Sequence, residues 1–163
     1  MSFDLGTRTE LVPNGDCLSR RDTARAMSQE MPQGKREEFE VVVRAINSRD
    51  FDTLAVLLHP EVEFHSTLVG LEGEVYVGIN GLRKWARDVD ETWEGLQLEV
   101  VDYRDVGSEE AVAVVDNHGR ARTSGVPLVA RRGAVLTWRD GKPWRNVAYA
   151  DPADAFEAVG LRE

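Results

Sequence analysis

Asp116 and His118 stand two residues apart, directly after Ala111–Val115, the most apolar short run among the residues expected to form strands. On an extended strand that spacing puts both side chains on one face. A carboxyl group ending so apolar a segment would be desolvated, which raises its pKa toward a working range for proton transfer. An imidazole beside it could share the proton. The competing reading leaves both at the strand's exposed end, opening a turn through Asn117–Gly119. His65 is a second acid–base candidate. It closes the alternating segment Glu61–His65, so it faces away from Phe64 and alongside Glu63. It would serve equally as a hydrogen-bonded structural histidine. Tyr76, beside the loop before a helix, is placed to guard a cavity mouth and donate a hydroxyl. His59, before Pro60, reads as a helix terminator instead.

The apolar candidates lie on one expected helix. Trp85, Val89 and Trp93 would line a cavity for a flat ligand, with His118 reaching it from the sheet. Their other reading is core and interface mass, the role expected of Trp138 and Trp144. Arg120, Arg122, Arg131 and Arg132 are the basic concentration; they would attract an acidic substrate or simply solvate a hairpin. His59, His65 and His118 lie too far apart to suggest a metal set, and no short ligand motif is present. Gly78-x-x-Gly81 lacks the strand–glycine–helix context of a dinucleotide site. Neither a metal nor another cofactor is expected.

The elements that must position these groups are legible from periodicity. Phe39, Val42, Val43 and Ile46 form one apolar stripe on a first helix. Ser48–Asp52 offers capping groups to a second, with Leu54, Leu57 and Leu58 buried; Pro60 ends it. A third helix is expected from about Ile79 to Trp93, stopped by Gly95. From Leu96 to Tyr149 the chain reads as a strand meander, with a looser connection at Asn117–Gly125 and a bulge near Arg132-Gly133. Asp140-Gly141 is a hairpin signal. Asp151-Pro152 opens a last helical turn.

Composition bounds the function. The chain has 163 residues and a net charge of −9, which argues against a nucleic-acid surface. A lone Cys17 fits a reducing compartment, and no run is long and apolar enough for a membrane span. A cytoplasmic location is therefore expected. Residues 1–33 carry no sustained period and are expected to be a flexible extension, with Met27 or Met31 as alternative starts. Residues 34–163 form the expected domain.

Three segments resemble the SnoaL-like branch of the nuclear-transport-factor-2-like superfamily. They are FDTLAVLLHPEVEFHS at 51–66, VYVGINGLRKW at 75–85 and LTWRDGKPWRNVAYADPADAFEAVGL at 136–161. The resemblance implies an α+β cone, a strongly curved antiparallel sheet wrapped around three helices, and a homodimer formed through the sheet's outer face. It implies a small apolar ligand and, if an enzyme, a cofactor-independent cyclase or isomerase. His65, Asp116 and Tyr76 would then be the catalytic groups. The alternative is a non-catalytic ligand-binding or dimerisation module, since one fold hosts many functions. The epoxide hydrolase branch places its first acid at Ala148, and its preceding Arg and Asp near Val115 and Asn117. A methyl group cannot activate water, so that reaction is not expected. Tyr76, Tyr103 and Tyr149 leave the ketosteroid isomerase chemistry open.

Overall fold

A computed structural model describes residues 34–69 and 74–161. The chain divides into two compact units, Met1–Glu38 and Phe39–Glu163. The expected extension, with both alternative starts, lies outside the described residues. All that follows concerns the second unit, apart from the first turn of its leading helix.

The order of elements is α1 (Lys35–Asn47), α2 (Phe51–Leu57), β1 (Glu63–His65), β2 (Tyr76–Val77) and α3 (Gly78–Thr92). There follow β3 (Trp93–Val106), β4 (Glu110–Ala121), β5 (Pro127–Arg139), β6 (Lys142–Tyr149) and α4 (Pro152–Ala158). The α+β class expected from the sequence is the one observed. The expected apolar stripe of α1 is buried along its length, at Phe39, Val42, Val43 and Ile46. Asp50 caps α2 by accepting from Thr53 N at 3.1 Å and Thr53 Oγ1 at 2.6 Å. Leu58 then turns extended, two residues before Pro60.

The strands form one open sheet in the order β2-β1-β6-β5-β4-β3. It is mixed rather than wholly antiparallel. β1 lies parallel to β6, with Glu63, Phe64 and His65 opposite Arg145, Asn146 and Val147. A strand entering from the helices has no hairpin to reverse it, so either direction is open to it beside β6. The meander β3 to β6 is antiparallel as expected. Its bulges fall at 94–97, 100–102 and 137–138, while β5 passes Arg132-Gly133 in unbroken register with β4. β4 also runs on to Ala121, so Asn117 and His118 lie within a strand and not in a turn. The tight reversal at Asp140-Gly141 is present, with φ of 53° and 77°. α3 stops at Thr92, and Gly95, with φ of 65°, sits inside β3 instead of ending the helix.

Helices cover both faces of the central part of the sheet. On the inner face Ala111, Ala113 and Val115 of β4 pack with Ala134 and Leu136 of β5 against Phe39 and Val43 of α1. On the outer face Val112, Val114 and Val135 pack beneath Ala155 and Phe156 of α4. Asn47 ties the end of α1 to the edge strand β3: its Nδ2 donates to Leu98 O and its Oδ1 accepts from Leu98 N, both at 2.9 Å.

The seat of α4 depends on Gly133. A Cβ there would lie 2.6 Å from Ala155 Cβ and 2.9 Å from Pro152 Cα. Gly133→Val should cost about 1–3 kcal/mol through overpacking. The expected result is a lower melting temperature by circular dichroism with unchanged helix and strand content.

Candidate functional site

A cavity opens between α1 and the inner face of the sheet. Phe39, Val43 and Ile46 roof it, Phe64 and Trp85 close one side, and Val115, Ala134 and Ala148 make its floor. Its empty space is about 550 Å³ including the mouth, of which about 60 Å³ is open to the centre of a water-sized molecule. A second hollow of about 430 Å³ adjoins it, sharing Phe39, Ile46, Phe64 and Asn146 and continuing to Leu82 and Trp138. The walls are mostly apolar, with few polar groups, the pattern of a small-molecule site.

Those polar groups are Ser66, Thr67, Asn117, Arg132 and Asn146. Ser66 is occupied: Trp85 Nε1 donates to its Oγ at 3.1 Å, and Phe64 stands edge-on to the same indole at 4.9 Å. Arg132 Nη1 donates to Thr67 Oγ1 at 3.0 Å, yet its Nε is buried without a partner. Asn146 Oδ1 is likewise buried and unpartnered. Asn117 is only 4% exposed and donates to Ala130 O over a long 3.4 Å. No carboxylate, imidazole or phenol is among the described lining residues.

Strand parity separates the expected site residues from this cavity. Asp116 shares the outer face with Val112 and Val114. Both its carboxylate oxygens accept from Arg131, from Nε at 2.7 Å and Nη2 at 2.9 Å. Those hydrogen bonds hold its pKa below the ordinary value, outweighing the desolvation that the sequence suggested would raise it. His118, 46% exposed in its side chain, lies 3.7 Å from Glu99 on the same face. Glu99, Asp116 and His118 bring ligand-type atoms within 4.8 Å of one another, and Arg131 engages both oxygens of the Asp116 carboxylate. His65 sits opposite Val147, one step out of phase with Phe64, and its Nε2 lies 3.3 Å from Glu63 Oε1. Burial works to raise the Glu63 pKa, but hydrogen bonds from His65 and Arg145 together bring it below its usual value.

Tyr76 is in the core under α3, and its hydroxyl donates to Asp88 Oδ2 at 2.9 Å. Burial, reinforced by Asp88, pushes its pKa up to about 12. It is a neutral donor already engaged. Val89 is wholly buried in the same core, and half-buried Trp93 packs against it; neither lines the cavity. Of the residues expected to touch a ligand, Trp85 does line it. His59 stays at the end of α2, its Nδ1 accepting from Glu61 N at 3.0 Å.

Asn117, Arg132 and Asn146 were not singled out as site residues by spacing. The apolar run Ala111–Val115 hid the phase of β4, because its two faces look alike. One signal did reach the cavity: Val115, Asn117 and Ala148, the positions to which the hydrolase resemblance carries an acid–base set, all line it. The arginine concentration also divides. Arg120 donates to Gly125 O, Arg122 to Asp90 O and Arg131 to Asp116, while Arg132 turns inward.

A family model described as a SnoaL-like domain matches residues 39–146. Comparison with curated proteins finds no match. Among solved structures, similarity extends to a hypothetical protein with a ketosteroid isomerase-like fold from Catenulispora acidiphila, solved with trimethylamine. The identity is 14%, the TM-score 0.61, and the match covers 77% of this chain and 93% of that one. A provisionally assigned polyketide cyclase from Xanthomonas campestris matches at 19% identity and TM-score 0.58, covering 76% and 94%. An NTF2-like protein of unknown function from Burkholderia pseudomallei matches at 16% identity and TM-score 0.59, covering 77% and 96%. At such identities the likeness establishes the NTF2-like fold alone. No helix among the described residues is long and apolar enough to cross a membrane.

The Asp116–Arg131 pair has a testable pH signature. With a depressed folded pKa, its stabilisation is full above the carboxyl's ordinary value of 3.8 and is lost as pH falls through the lower folded value. Asp116→Asn should therefore melt earlier than the parent at pH 7, and the two curves should converge below pH 3.8. Thermal melts across pH check both points.

Proposed function

This chain belongs to the SnoaL-like family, and from that premise we propose that it binds a small, largely apolar molecule in the cavity beneath α1. The carrying observation is the composition of the walls. They combine an aromatic side, a floor of small side chains and a few polar groups, two of which hold buried atoms with no partner. Such atoms favour a guest that completes their hydrogen bonds.

The geometry favours binding over acid–base catalysis by His65 and Asp116. Those two groups stand on the outer face in existing polar contacts, and Tyr76 is committed to Asp88. A second reading, a cyclase or isomerase, draws support from the buried Nε–H of Arg132, which is suited to stabilising an enolate oxygen. In that reading the proton would move within the substrate or through water, because the described walls supply no carboxylate or imidazole.

Pairing of two copies through the outer face belongs to the same proposal. Glu99 and Asp116 stand there with His118 and Arg131, beside a Val129 that is 74% exposed. A two-fold axis passing between the acidic and basic groups would set opposite charges against one another. Analytical ultracentrifugation of the intact chain should show a dimer; a monomer at all concentrations would reject the pairing.

The cavity itself is tested by blocking it. Ala148 faces Ala134 across the floor, so Ala148→Phe fills the space. Toluene at ten times its Kd should stabilise the parent by about 1.4 kcal/mol. The variant should melt cooperatively and gain nothing. Equal stabilisation of both proteins would overturn the assignment of the cavity.

A further inference from the structure

We infer that the ligand is a one-ring aromatic acid with a hydroxyl at the end remote from its carboxylate, an inference that rests on the cavity reading above. Arg132 is the single charged side chain among the described residues lining the cavity. Its Nη1 is held by Thr67 at 3.0 Å, which fixes the guanidinium while the buried Nε–H stays unpartnered. Among the described residues no carboxylate pairs with it, in contrast to Arg131 next door. A planar guanidinium with free donors matches a carboxylate, which takes two parallel hydrogen bonds and supplies the missing charge.

The opposite end of the cavity wants something different. Asn146 lies opposite Leu136, four residues along β5 from Arg132, so the two backbones are about 13 Å apart along the strand. Side chains reaching inward from both ends shorten that gap to the length of a substituted ring. The buried Oδ1 of Asn146 needs a donor. A hydroxyl both donates and accepts, so it satisfies the carboxamide in either orientation. Between the two ends the floor is the Ala134–Ala148 pair and the wall is Phe64 with Trp85. Side chains that end at Cβ leave a shallow bed for a flat ring, and the aromatic wall contacts its edge.

The empty space of about 550 Å³, mouth included, accommodates one substituted ring between the two polar ends.

Isothermal titration calorimetry of the intact 163-residue chain with four compounds of one shape tests this. They are 4-hydroxybenzoate, benzoate, 4-methylphenol and toluene. The expected order places 4-hydroxybenzoate first, with benzoate and 4-methylphenol each at least about tenfold weaker and toluene weakest. Arg132→Gln should erase the preference for acids, so that 4-hydroxybenzoate and 4-methylphenol bind alike. Asn146→Leu should erase the preference for the hydroxyl, so that 4-hydroxybenzoate and benzoate bind alike. Arg132→Lys, which keeps the charge but loses the fork, should retain part of the acid preference and guards against misfolding of the glutamine variant. Toluene binding as tightly as 4-hydroxybenzoate, or an acid preference that survives Arg132→Gln, would overturn the ligand class while leaving the cavity reading intact. If none of the four binds and Ala148→Phe changes nothing, the cavity reading fails and takes this inference with it.

Discussion

Side chains on β4 and β5 alternate across a sheet that is covered on both sides, and every functional assignment depends on which set faces inward. The phase is set by packing. α1 lays Phe39 and Val43 on the odd-numbered residues of β4, and α4 lays Ala155 and Phe156 on the even-numbered ones. Gly133 makes the second contact possible, since no side chain fits between β5 and α4 at that point. With α4 seated, Val115 and Asn117 must look into the cavity and Asp116 and His118 must look away. A shift of one residue would exchange the two sets and bring the acid inside.

The same alternation gives neighbouring arginines opposite roles. Arg131 meets Asp116 on the outer face and forms a two-pronged ion pair. Arg132 points into the cavity, where Thr67 orients it and no acid among the described residues pairs with it. Its Nε is buried without a partner while its bond to Thr67 is exposed. An anion from solution would complete that donor, which supports the proposed acid ligand. The buried oxygen of Asn146 adds a second demand at a distance, and together the two define a polarity along the guest.

Rigidity around the cavity comes from a few local devices. Asn47 exchanges two hydrogen bonds with the backbone of Leu98, so the helix that roofs the cavity is fastened to the edge strand at its far end. Trp85 is fixed by its hydrogen bond to Ser66 and its edge contact with Phe64. The positive φ values at Asp140 and Gly141 close the hairpin that sets Asn146 and Ala148 opposite Leu136 and Ala134. These contacts fix the walls of the cavity, which would reduce the ordering cost of the proposed binding.

The amino-acid sequence by itself determined the elements and their class. The stripe at Phe39, Val42, Val43 and Ile46, the stop at Pro60 and the Asp140-Gly141 turn are local signals, carried by periodicity and backbone chemistry within a few residues. Val115, Asn117 and Ala148 entered that reading only as positions where the hydrolase set is missing. Only the tertiary structure decided the direction of β1, the length of β4 and, above all, which face of each strand looks inward. Ala111–Val115 is apolar at every position, so its own pattern holds no information about phase; a helix more than thirty residues downstream supplies it. For the same reason Arg131 and Arg132, adjacent and identical in the chain, became distinguishable only when one met Asp116 on the outer face and the other met Thr67 at the cavity wall.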